Sequence, residues 1–160
     1  MGITPFGWLH TVISIVAVIA GIVALVRDKK ISTKNLVGKV YVVMTILSCL
    51  TGFFIFHHGE ISPGHILGVI TLIVLGIAGA AEHKHAFGRA SQYVATIGYS
   101  LTFFFHMIPT LTEGSTRLPS GAPLASSPDD PKLQMAIGVV FLLFLIGAAL
   151  QATRLHAESR

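Results

Sequence analysis

Apolar residues fill five long stretches of the chain, about Pro5 to Val26, Leu36 to His57, Pro63 to Ala81, Tyr93 to Leu111 and Leu133 to Ala152. A helix needs about 20 such residues to cross a hydrocarbon core roughly 30 Å thick. The stretches are continuous rather than alternating, so they predict transmembrane helices and exclude a β-barrel. Turn chemistry falls between them. Ser62 before Pro63, and Asp130 before Pro131, each supply an N-cap and then a proline at the first helical position, where its missing N–H is harmless. Gly59 is placed to end the second stretch in a left-handed conformation. Residues 112–132 are rich in Ser, Pro, Gly and Thr and predict a flexible connector outside the bilayer. No Lys or Arg precedes the first stretch, and its length exceeds a signal-peptide core, which predicts a retained span.

Lipid is as apolar as leucine, so helices in a membrane associate through small residues and buried polar groups. The first stretch carries such a stripe at Gly7, His10, Ser14, Ala17, Gly21 and Ala24. The second has Gly38, Tyr41, Thr45, Ser48 and Gly52; the third has Gly64, Gly68, Thr71 and Ala78. On the fourth the stripe is Ala95, Gly98, Tyr99, Thr102 and His106. A weaker set, Gln134, Gly138 and Ala148, marks the fifth. The expected architecture is an all-α integral membrane protein, one domain over residues 1–160. Its first four helices form a bundle and the fifth packs peripherally.

Composition narrows the class. Of 160 residues, 52% are apolar and 11% charged, against about 25% charged in a soluble domain. Mean hydropathy is +0.76. These figures exclude a soluble enzyme, a disordered tail and a nucleic-acid binder, despite a formal charge of +4 and a pI near 9.5. The single Cys49 forms no internal disulfide and supports no zinc ribbon or iron–sulfur site. Among the 11 Lys and Arg, all but Arg117 and Lys132 fall around the first and third connections or after the last stretch. The positive-inside rule then predicts a multi-pass protein of the bacterial inner membrane, amino terminus outside and carboxy terminus cytoplasmic.

Eight histidines carry the candidate chemistry. On that topology His10, His57, His58, His65 and His106 all lie near the outer face. Imidazole is the commonest metal ligand and a regular axial ligand of haem iron. The candidate cofactor ligands are therefore His10, His65 and His106, with His57 and His58 behind them. In an alternative reading His10, His65, His106 and Glu60 hold a Zn, Cu or Fe ion. Gly7, Gly52, Gly64, Gly68 and Gly98 offer room for a macrocycle, and Phe53, Phe54, Phe56, Phe103, Phe104 and Phe105 offer walls. The same rings and Trp8 read equally as an aromatic belt or lipid-facing packing. Pro109 predicts a kink beside His106. His83 and His85 sit in a polar loop with Glu82, Lys84 and Arg89. His83 follows His65 by 18 positions, a rise of about 27 Å, which puts it among head groups and argues against a two-haem relay.

From Lys34 to His106 the chain resembles an uncharacterised bacterial membrane-protein family, domain of unknown function 2306. The residues that carry the resemblance are Gly38-Lys39-Val40-Tyr41 with Met44, Pro63-Gly64-His65-Ile66-Leu67, and the basic loop His83-Lys84-His85. It implies a bacterial multi-pass topology and no particular activity. The family often has a histidine just before the glycine and tyrosine of its second helix, where this chain has Lys34 and Asn35.

Three function classes stay open on the sequence. The first is haem-b binding with electron transfer near the outer face, to a quinone or another redox partner, as a membrane oxidoreductase component. The second is non-haem metal handling by the same imidazoles. The third is a non-catalytic accessory membrane subunit whose histidines tune packing or protonation. The Gly64–Gly68 pair suits packing within the bundle or a homo-oligomer equally well. No Ser/His/Asp arrangement, phosphate loop or H-E-x-x-H motif is present, which leaves common hydrolase mechanisms without support.

Overall fold

The structure, a computed structural model, describes residues 5–55, 62–117 and 122–159. It is helical, with no strand among those residues. The helices are α1 (Pro5–Asp28), α2 (Leu36–Gly52), α3 (Pro63–Lys84), α4 (Ser91–Arg117) and α5 (Pro131–Glu158), and a 3-10 turn over Gly88–Ala90 leads into α4. Four of them, α1, α3, α4 and α5, are long and apolar enough to cross a membrane, and α2 is a shorter apolar helix of 17 residues. Helix α1 packs on α2, α2 on α3, α3 on α4, and α4 back against α1, closing a four-cornered bundle. Helix α5 packs against α4 alone among the helices.

The striped faces turn inward. Ala17, Ala20, Gly21 and Ala24 of α1 are buried against Gly38, Tyr41, Thr45 and Ser48 of α2, with Thr71, Leu75 and Ala78 of α3 and Ala95, Tyr99, Thr102 and His106 of α4 on the other side. Small residues let these backbones approach closely. A Cβ on Gly21 would come within 2.5 Å of the Phe103 ring and 3.2 Å of Tyr41. At Gly38 it would overlap the Ser32 carbonyl, so the α1–α2 connection lies directly on the first turn of α2. Asn35 caps that turn, its side chain accepting from the Gly38 N–H at 2.9 Å.

Several boundaries differ from the sequence expectation. Helix α2 stops at Gly52 rather than running to His57. Past Gly52 the Phe53 ring swings over Gly68 of α3, whose added Cβ would lie 2.9 Å from it. Turn bonds from Phe54 to Thr51 and from Ile55 to Gly52 replace the helical ladder there. Gly59, His57, His58, Glu60 and Phe56 lie outside the described residues. Helix α4 continues through Pro109 to Arg117, six residues into the expected connector (Thr112 to Arg117). Threonines 110, 112 and 116 each donate to a carbonyl four residues back, and Arg117 pairs with Glu113 at 2.6 Å. Those bonds let a polar segment stay helical. Helix α5 meets α4 through aromatic rings rather than its small-residue stripe: Phe104 stacks on Phe144 at 5.8 Å and contacts Phe141 at 5.3 Å, while Gly138 faces open space.

Candidate functional site

Helix α2 organises the polar interior. Tyr41, Thr45, Ser48 and Thr51 fall on one face at steps of three and four, and partners from α1 and α4 meet them there. His10 of α1 lies 2.9 Å through Nδ1 from the Thr51 hydroxyl. Ser14, one turn further along α1, bonds Ser48 at 2.7 Å. From α4, His106 Nε2 reaches Thr45 at 3.1 Å and Thr102 reaches the Tyr41 phenol at 2.8 Å. Helices α2 and α4 are diagonal in the bundle, so these last bonds cross its centre.

The direction of each bond follows from the hydroxyls. A threonine has one proton to donate. Thr45 donates to the Tyr41 carbonyl, Thr51 to the Leu47 and Ser48 carbonyls, and Thr102 to the Tyr99 carbonyl. With those protons turned backwards along their own helices, the hydroxyl oxygens are free to accept across the bundle. That arrangement assigns the donor role to His10 Nδ1, His106 Nε2 and the Tyr41 phenol. Nε2 of His106 is the ring nitrogen that faces Thr45.

His65 has a different job. It is the third residue of α3, and its Nδ1 accepts the Ser62 backbone N–H at 3.1 Å with the Ser62 hydroxyl 2.8 Å away. Imidazole here stands where the carboxylate of a capping box usually stands. Among the described residues, no group of three or more His, Cys, Asp or Glu is arranged to hold a metal ion. Three of the five glycines expected to leave room for a macrocycle face protein side chains. Phe53 covers Gly68, Ala78 packs within 3.0 Å of a Cβ on Gly98, and the His10 ring lies 3.4 Å from one on Gly52. Of the expected wall residues, Phe103 lies against Gly21, Phe104 against α5 and Phe54 edge-on to Phe6.

A second polar cluster, at the end that carries the basic connections, was missed from the sequence. Glu82 has only 7% of its side chain exposed. Its carboxylate accepts the Ser32 hydroxyl at 2.5 Å, the Thr33 N–H at 3.2 Å, the Thr33 hydroxyl at 2.5 Å and the Tyr99 phenol at 3.0 Å. His83 lies 3.7 Å from it and bonds Thr33 at 2.7 Å. The Thr33 proton goes to Glu82, so His83 donates from Nε2–H. One signal was available: Glu82 follows Ala78 by four positions and so continues the inward stripe of α3. His85 takes the left-handed conformation that ends α3, at φ 49°, and is exposed.

No family model, no curated protein and no solved structure matches the chain.

Proposed function

We propose that the chain is a five-span protein of the bacterial inner membrane, amino terminus outside, that serves as a non-catalytic accessory subunit whose histidines fasten helices. One observation carries this reading. The bonds of His10 and His106 each end on a threonine whose own proton is committed to a backbone carbonyl. A proton relay needs hydroxyls that pass a proton onward, and a haem site needs ligand nitrogens aimed at a shared chamber. Bonds that end on carbonyls do neither; they hold α1 and α4 to α2. In lipid such interhelical bonds contribute about 0.6 kcal/mol each, with larger cases near 1.7. The basic residues of the first and third connections support the orientation, and the resemblance over residues 34–106 agrees with a bacterial multi-pass topology.

Purified full-length chain tests the reading. The expected result is a colourless, metal-free, folded protein that loses thermal stability when His10 or His106 is replaced. A reduced-minus-oxidised spectrum of b-type haem, abolished by His106→Ala, would establish the electron-transfer reading instead. Stoichiometric Zn, Cu or Fe lost on His10→Ala would establish the metal-handling one.

A further inference from the structure

Helix α5 packs on α4 alone among the helices, and only its Leu133 and Leu155 are buried. In lipid such a helix gains little by covering apolar surface, because acyl chains cover it equally well. Polar links then weigh heavily in how it docks. Gln151 supplies two of them. Its Nε2 donates to the Lys29 carbonyl at 2.9 Å, and its Oε1 accepts the Ser100 hydroxyl of α4 at 2.9 Å. A carbonyl only accepts, so Lys29 fixes which way the amide faces and leaves Ser100 to donate. One side chain of α5 thus joins α4 to the connection that follows α1.

That connection is held from α3. Glu82 accepts the Ser32 hydroxyl and both the N–H and the hydroxyl of Thr33. Asn35 donates to Asp28 at 3.1 Å across its base, and the buried Ile31 joins the apolar core. Lys29, the first residue past α1, is left-handed at φ 60°. A residue with a side chain takes that conformation under strain, which persists only where the surroundings impose it. The Gln151 bond falls on Lys29 itself and the Glu82 bonds on Ser32 and Thr33, so both act on one short segment. We propose that residues 29–35 form a strap that couples α3 to α5. Glu82 holds the strap where the Lys29 carbonyl receives Gln151, and the carboxy-terminal half of α5 swings from the bundle when either hold is lost. The contacts of Phe104 with Phe141 and Phe144 are the pivot. The histidine fastenings to α2 involve none of these residues, so the strap goes beyond the accessory reading and stands independently of it.

The test uses full-length protein in lipid nanodiscs, with Cys49→Ser and spin labels attached through Ile73→Cys on α3 and Leu150→Cys on α5, both exposed positions. Double electron–electron resonance reads the distance between the labels. The parent is expected to give one narrow peak. Gln151→Leu should raise the share of longer distances about sevenfold, the factor for two interhelical bonds lost in lipid. Glu82→Ala should broaden the distribution in the same way although Glu82 has no bond to α5, and Ser32→Ala with Thr33→Val makes the same test if Glu82→Ala does not fold. Adding Gln151→Leu to either strap variant should change little more. Thr45→Val, which loosens the bundle without touching the strap, should leave the peak narrow. A peak unchanged by Gln151→Leu or by the strap variants, fully additive broadening in the combined variant, or equal broadening by Thr45→Val would each overturn the coupling.

Discussion

The Thr45 hydroxyl and the His106 imidazole are 61 positions apart in the chain and 3.1 Å apart at the centre of the bundle. The bond joins diagonal helices, and its direction is set by a proton that Thr45 has already given to the Tyr41 carbonyl. Thr51 and Thr102 repeat the device with His10 and Tyr41. A threonine used this way both satisfies itself within its own helix and offers a fixed acceptor to a neighbour.

Thr45→Val keeps the shape and removes the acceptor, leaving the His106 N–H buried without a partner. The expected cost is about 1–2 kcal/mol. Thermal unfolding of single and double variants checks it: with His106→Phe already present, Thr45→Val should cost much less. Additive losses would show that the bond contributes nothing.

Glycine substitutions should split by position. Gly21→Ala drives a methyl group into the Phe103 and Tyr41 rings, an overpacking cost of about 1–3 kcal/mol. Gly38→Ala meets the Ser32 backbone, which no rotamer change can relieve. Gly76→Ala meets open space and should stabilise α3 by up to about 1 kcal/mol through helix propensity. Melting temperatures of the three variants give the comparison.

Glu82 anchors the connection between α1 and α2 through Ser32 and Thr33. Replacing it with Ala removes a charged acceptor, a loss of about 1.5 kcal/mol for even one such bond. That corresponds to about a tenfold rise in the opening of the segment, read as faster trypsin cleavage at Lys29, Lys30 and Lys34. Cleavage at the unaltered rate would mean that the connection is held by something else.

At the start of α5, Asp130 accepts backbone N–H groups from Ser126 and Lys132, which hold its carboxyl below the usual value of 3.8. A depressed folded value means the cap is fully effective above the unfolded value and is lost as pH falls below about 4 through the lower folded one. Amide exchange in the first turn of α5 should therefore quicken only in that acid range. Asp130→Ala should speed first-turn exchange above that range and make no difference within it, and Asp130→Asn should remove the pH dependence while keeping the cap.

Much of the architecture was legible. Stripes such as Tyr41, Thr45 and Ser48, or Ala95, Tyr99, Thr102 and His106, identified the buried faces correctly because a helix has one periodicity and lipid leaves small and polar residues only one favourable side. The candidate site was less legible. His10 and His106 do come together on α2, but the spacing of histidines carries no information about which hydroxyls intercept them. His65 sat in the right place for a ligand and in an equally right place for a cap. Glu82 was overlooked because its neighbours Lys84 and Arg89 made it read as part of a polar loop.

The sequence by itself determined helix number, the inward faces and the charge asymmetry between the two ends, since these depend on local periodicity and on transfer of side chains out of water. Only the tertiary structure decided where α2 ends, that α5 joins through Phe104, Phe141 and Phe144, and which proton each buried imidazole donates. Those outcomes turn on distances between residues far apart in the chain: a ring over Gly68, a carbonyl already claimed, a carboxylate reached by a loop 49 positions earlier.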